Sequence, residues 1–317
     1  MATVDQIKQL IRHHYERSDE KFRTTVLQIA ASEAKLGHST QARELKEILD
    51  KLGRGVVLKL NSANSLFDVT VPSVRLEEIV VSSDIKERIN KILQEYRQRE
   101  KLRRYGLGNR SKILIEGPSG TGKTMTASVI ACELNLSLFT IQMDKLISKF
   151  MGETSSKLRQ LFESIEQSPG VYLFDEFDAI GADRNFDNEV GEMRRVLNAF
   201  LQLIEGEASD SIIVAATNNS QMLDQALYRR FDDVLHYNLP TEKEIVHLFA
   251  LKLGSFFGTV SIDTNTVKAA QGLSQAEITR ICDELVKSAI LDDQAFSNER
   301  LCVLIAERSR AYKSKEA

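Results

Sequence analysis

The chain is 317 residues long, 42% hydrophobic and 27% charged, a balance that supports a sizeable buried core and more than one domain. Its formal charge of −3 argues against a protein whose main task is neutralising nucleic-acid phosphates. Cys132, Cys282 and Cys302 lie far apart with no metal-ligand spacing; they imply no disulfide framework and fit reduced thiols in a cytosolic compartment. The start "MATVDQIKQL" lacks the pattern of a secretory signal, and no apolar run approaches the roughly 20 residues of a spanning helix. A soluble, cytoplasmic protein without a membrane partner is expected.

In residues 1–53, apolar positions recur at helical spacing in "VDQIKQLIRHHY", "FRTTVLQIAASEAKLG" and "QARELKEILDKL", which predicts a small helical module. Ser39 or Thr40 suits an N-cap there and Gly37 a helix end. His13 and His14 are adjacent and do not share a helix face, which argues against a metal site. Over 54–74 the pattern alternates with period two around the polar "NSANS", predicting two short strands as a connector. From residue 75 to about 255, helical segments alternate with the strand-like runs "KILIE", "SLFTI", "VYLFD", "SIIVAAT" and "VLHYNL". That alternation predicts an α/β domain with a parallel sheet covered on both faces. After Ser255 only helical patterns remain, so 256–317 is expected to form a small helical domain.

"GPSGTGKT", Gly117–Thr124, lies between a predicted strand and a predicted helix, the context a phosphate-binding loop needs. Gly117, Gly120 and Gly122 let the backbone curl so that successive N–H groups point inward, Pro118, Ser119 and Thr121 complete the candidate cradle, and the following helix adds its positive N-terminal end, with Met125 in its first turn. Lys123 is placed to reach the β and γ phosphates, and the Thr124 hydroxyl to ligate Mg²⁺. "VYLFDEFD" ends an apolar strand in two acids: Asp175 suits the Mg²⁺ shell, and Glu176 suits deprotonation of an attacking water. Asn218, closing "SIIVAATNN", would stand beside the γ phosphate if its strand neighbours that of Asp175. Two readings stand for the tandem Arg229 and Arg230: a solvated face, or guanidinium groups donated to developing phosphate charge. Spacing does not decide whether such a pair serves its own loop or a neighbour's.

With these motifs in this order, the chain from Arg75 to Ala311 resembles the AAA clade of the AAA+ ATPases. The resemblance implies a P-loop AAA+ fold, with a five-stranded α/β domain and a helical lid, assembled as a ring, usually a hexamer, with ATP and Mg²⁺ at the subunit interfaces. Gly117, Gly122, Lys123 and Thr124 match the Walker A loop, Asp175 and Glu176 Walker B, Asn218 sensor 1, and Arg229 with Arg230 the arginine fingers that act on the neighbouring subunit's ATP. Ile79 and Val80 align with the segment that packs on adenine. Ser274, Ala276 and Glu277 fit the lid motif beside the nucleotide, while Gln275 stands where the clade usually has glycine, and Ser119 where it commonly has proline. Phe150, Met151 and Gly152, in "SKFMGETSS", resemble the pore loop that grips an extended polypeptide. From residues alone, burial of that pair in the subunit's own core is the competing reading.

The stretch "LQIAASEAKLGHSTQARELKEIL" is similar to compact bacterial AAA ATPases found paired with a subtilisin-like peptidase. The resemblance therefore implies an ATP hydrolase that remodels, threads or unfolds a protein client and delivers it to, or regulates, a separate peptidase. An ATP-switched assembly or signalling scaffold is the alternative. DNA remodelling is a third reading, and "REKLRRYGLGNRSK" is the dense basic run it would require.

Overall fold

The structure is a computed structural model that describes residues 8, 12, 25–27, 29–30, 32, 57–58, 66–146, 153–178, 187–219, 225–292 and 296–313. The chain divides into two compact units, Met1–Leu58 with Thr70–Ser73, and Lys59–Val69 with Val74–Ala317. In the first unit, the described positions up to residue 32 are helical, and Val26, Ile29 and Ala30 are buried at one-turn spacing. Its short strand is β1, Val57–Leu58. Most of the expected 1–53 module and all of "NSANS" lie outside the described residues.

The second unit carries the sheet. After β2 (Phe67–Thr70) come α1 (Ser83–Arg97) and α2 (Arg99–Arg104), then β3 (Lys112–Glu116), α3 (Lys123–Leu134), β4 (Leu138–Ile141), α4 (Met143–Leu146) and α5 (Glu153–Gln167). Next are β5 (Val171–Phe174), α6 (Asp187–Gly206), β6 (Ile212–Thr217), α7 (Gln225–Tyr228) and β7 (Asp233–His236). Within this unit the strand order is β2-β4-β5-β6-β3-β7, and the pairs β4/β5, β5/β6, β6/β3 and β3/β7 are parallel. Part of the expected connector, β2, thus joins the sheet beside β4.

Burial follows strand position. All residues of β5 and β6 are buried, whereas β7 alternates buried and less buried positions, as an edge strand should. Successive side chains point to opposite faces. Leu114, Tyr172, Phe174, Ile213 and Ala215 join one core with Leu158, Phe162 and Phe200. Ile113, Ile115, Val171, Leu173, Val214 and Ala216 join the other with Ile89, Ile92, Ala127 and Ile130. Short polar pairs anchor the sheet's far end: the Asp232 carboxylate accepts from the backbone N–H groups of Ser111 and Lys112, each at 2.9 Å.

A third core is wholly helical. It gathers α8 (Glu242–Phe257), α9 (Thr264–Ala269), α10 (Gln275–Asp292) and α11 (Asn298–Lys313) around Phe249, Leu253, Ile278, Leu285 and Ile305. The helical layer thus takes in α8, which begins well before the residue 256 boundary expected from where the strand patterns cease and runs across it. A capping box starts α8, with the Thr241 N–H donating to Glu244 Oε2 at 2.7 Å. Adjacent residues tie the layers together: Ile79 is buried in a sheet-face core and Val80 in the helical one.

Candidate functional site

The parallel strands β3, β5 and β6 deliver their carboxyl ends to one edge, and the candidate site is assembled there. Between β3 and α3 the loop Gly117–Gly122 doubles back through positive φ values, +77° at Gly120 among them. A Cβ at Gly120 would lie 2.5 Å from Ser274 Oγ, and one at Gly117 would lie 2.3 Å from the Tyr237 carbonyl oxygen. Both glycines are therefore required by close approach as well as by torsion.

Lys123 opens α3 and is buried, with its ammonium donating to the carbonyls of Gly117 and Pro118, each at 2.7 Å, and to Asn218 Oδ1 at 2.8 Å. Burial lowers its pKa, opposed by the negative charges of Asp175 and Asp178. A buried cation at the N-terminal end of a helix favours a multiply charged anion. The Pro118 carbonyl also accepts from the Thr121 hydroxyl at 2.8 Å, tightening the turn.

Thr124 Oγ donates to Asp175 Oδ2 at 2.7 Å. Among the described residues there is no cluster of three or more His, Cys, Asp or Glu side chains able to cage a metal. One hydroxyl and one carboxylate beside an anion site nonetheless fit Mg²⁺, which keeps several waters and takes phosphate oxygens as its other ligands. Glu176 follows with φ +52°, a left-handed backbone that costs energy in a non-glycine residue. Buried Phe177, whose N–H donates to the Ala216 carbonyl at 2.9 Å, holds the turn so that Glu176 stays exposed toward the cavity. Asn218 reaches the same place because β6 pairs with β5 in register, Phe174 opposite Ala215. The condition set for Asn218 in the sequence is met.

The cavity has a volume of about 530 Å³. One wall is Ser119–Met125 with Asp175, Glu176 and Asn218; the other is apolar at Ile79, Val80 and Leu248 and polar at Lys252, Gln275, Thr279 and Arg280. The helical layer touches the loop directly, the Ala276 N–H donating to the Gly120 carbonyl at 2.9 Å. Ala276 lines the cavity, and Glu277 lies buried behind it, paired with Arg280 at 3.1 Å and with Arg308.

Leu248, Lys252, Thr279 and Arg280 were not singled out from sequence. Thr279 and Arg280 follow Ala276 by three and four residues, the same helix face, and that spacing is a usable signal. For α8 no such signal exists, because nothing local links it to the loop.

Arg229 and Arg230 are not part of this cavity wall. Arg229 is exposed, and Arg230 Nη2 pairs with Glu205 Oε2 at 3.1 Å. Phe150, Met151 and Gly152 lie outside the described residues.

A family model described as "ATPase family associated with various cellular activities (AAA)" matches residues 113–239, which span β3 to just beyond β7. An AAA family ATPase of Sinorhizobium fredii is 34% identical over 311 residues, 95% of this chain and 93% of that protein. A 26S proteasome regulatory subunit homolog of Methanocaldococcus jannaschii is 32% identical over 62% of this chain and 54% of its own length. The ATP-dependent zinc metalloprotease FtsH of Parabacteroides distasonis is 31% identical over 77% of this chain and 37% of its own. No described helix is long and apolar enough to cross a membrane.

Proposed function

The chain belongs to the AAA family of ATPases and hydrolyses ATP, and from that premise we propose that it works as a ring, usually a hexamer in this family, that uses turnover to remodel, thread or unfold a protein client. The observation that carries this reading is the convergence of Lys123, Thr124, Asp175, Glu176 and Asn218 on one cavity. In this reading the base sits against Ile79, Val80 and Leu248, and the phosphates enter the loop, where Lys123 exchanges its carbonyl partners for phosphate oxygens. Thr124 and Asp175 would hold Mg²⁺, which would supply positive charge to offset that of the phosphates. Glu176 takes a proton from the attacking water as that water's oxygen bonds the γ phosphorus and the bond to the departing ADP oxygen breaks, while the Asn218 amide fixes the water's orientation. Arg229 and Arg230 serve the neighbouring subunit's ATP, in keeping with their place outside their own chain's cavity.

The protein client is supported by the names of two relatives, a proteasome regulatory subunit homolog and an ATP-dependent metalloprotease. In this proposal α8–α11 act as the lid, and Phe150, Met151 and Gly152 grip the polypeptide in the channel. Delivery to a separate subtilisin-like peptidase is part of this proposal. The basic run favours no nucleic-acid role: Arg99 and Arg103 pair with Asp210, and Arg110 pairs with Glu95 and with Asp233.

The test is a pull-down with Glu176→Gln and ATP, in which clients and any peptidase should stay on the closed ring. Client processing that persists at full rate without hydrolysis would instead identify an ATP-switched scaffold. Phe150→Ala is expected to leave basal hydrolysis within about twofold and abolish client processing; intact processing removes the grip role.

A further inference from the structure

Glu116 is the last residue of β3 and directly precedes the phosphate loop, a place where a free carboxylate would repel the anion the loop is built to hold. Its side chain is only 13% exposed, and neither oxygen is free: Oε2 accepts from the Tyr228 hydroxyl at 2.6 Å, and Oε1 pairs with Nδ1 of His236. The nucleotide cavity is not lined by Glu116. This charge is committed to holding structure.

What it holds is the segment that carries the arginine pair. Tyr228 ends α7 and is followed at once by Arg229 and Arg230. Leu227 and Phe231, on either side, are buried in the core, and the turn is closed by the Arg230 N–H donating to the Leu227 carbonyl at 2.9 Å. The Tyr228 ring thus bridges from the arginine turn to the strand end, while Gly117, next to Glu116, touches Tyr237 too closely to tolerate a side chain. No residue separates Glu116 from the phosphate loop, and none separates Tyr228 from Arg229.

We propose that Glu116 and Tyr228 are positioning residues that set the arginine pair relative to the chain's own phosphate loop, so that each subunit presents Arg229 and Arg230 to its neighbour from a fixed point on its own nucleotide site. The proposal rests on the reading that the pair acts between subunits. Neither residue touches the reacting atoms; both act through the arginines. Loss of the hydroxyl-to-carboxylate bond leaves nucleotide binding intact and loosens the arginine turn.

The experiment compares Tyr228→Phe, Glu116→Ala, Glu116→Gln and the double variant Arg229→Ala/Arg230→Ala in the full chain, reading ATP turnover and the Kd for a fluorescent ATP analogue. Tyr228→Phe and Glu116→Ala should each lower kcat about tenfold, with Kd within about twofold, and combining them should lower it no further. Glu116→Gln, which still accepts the hydroxyl, should restore turnover to near that of the unaltered protein. Each defective variant is then mixed with Lys123→Ala subunits, which supply an intact arginine turn but an impaired phosphate loop; turnover should reappear for Tyr228→Phe and for the arginine variant. Failure to rescue the arginine variant overturns the inter-subunit reading. Rescue of the arginine variant but not of Tyr228→Phe, a tenfold or larger rise in Kd, or unchanged kcat in both single variants overturns the tie.

Discussion

The two ends of the nucleotide cavity are built by opposite means. At the phosphate end, the groups follow the ends of strands: Asp175 and Glu176 directly after β5, Asn218 directly after β6, and Lys123 where the loop leaving β3 enters α3. Parallel pairing in register brings those ends together, and short bonds such as Lys123 to Asn218 at 2.8 Å and Thr124 to Asp175 at 2.7 Å fix them. At the other end, Leu248, Lys252, Thr279 and Arg280 come from helices of a separate core. That core meets the loop through the Ala276–Gly120 backbone bond and the packing of Ser274 and Ala276 on Gly120. Under the proposed function the first end carries the chemistry and the second holds the nucleoside, so substitutions at the first should act on turnover and those at the second on affinity.

The largest effect should come from outside both ends. Replacing Arg229 and Arg230 with alanine is expected to lower kcat by about 10³ to 10⁵ with ATP binding retained; steady-state kinetics with a binding titration checks it, and a loss confined to affinity would place the pair in nucleoside recognition. Glu176→Gln should reduce turnover by about 10² to 10⁴ while ATP stays bound, measured as single-turnover hydrolysis. Gly120→Ala probes the seam between the ends, because it meets Ser274 Oγ and demands φ +77° of an alanine. It should weaken ATP binding about tenfold, the cost of roughly 1–2 kcal/mol for one left-handed residue, with kcat at saturating ATP within a few-fold. A fall in kcat as deep as that of Glu176→Gln would show that the two ends do not separate.

The smallest effect lies within the helical layer. Asp263 caps α9 by accepting from the Thr266 N–H at 2.6 Å, and these hydrogen bonds hold its carboxyl below the usual range. A depressed folded pKa contributes stability above the unfolded value, and that contribution is lost as pH falls through the lowered one. Asp263→Asn keeps the cap and should flatten that part of the acid-unfolding profile; an unchanged profile would remove Asp263 as a contributor.

Much of the site was legible because its groups are contiguous with strands of near-continuous apolar sequence. "KILIE" leads into "GPSGTGKT", and "VYLF" into Asp175 and Glu176, so reading the strand also located the group beyond it. The helical layer was less legible. Its α8 looks like any amphipathic helix following a strand, and the sequence boundary at 256 split it from the core in which Ile245, Phe249 and Leu253 are buried. The period of a helix says that one face is apolar and is silent about which neighbour covers it.

By itself, then, the sequence determined the strand-loop-helix units, the residues that line the phosphate end, and the glycines that such a loop demands, all consequences of backbone torsion and short-range patterning. Tertiary structure alone decided that Ile79 and Val80 enter different cores, that α8 and α10 supply the second wall, that Glu116 is tied to Tyr228, and that Arg229 and Arg230 stand outside their own chain's cavity. Those outcomes depend on which apolar faces fit against one another across long stretches of chain, a matter of shape and packing that local periodicity does not encode.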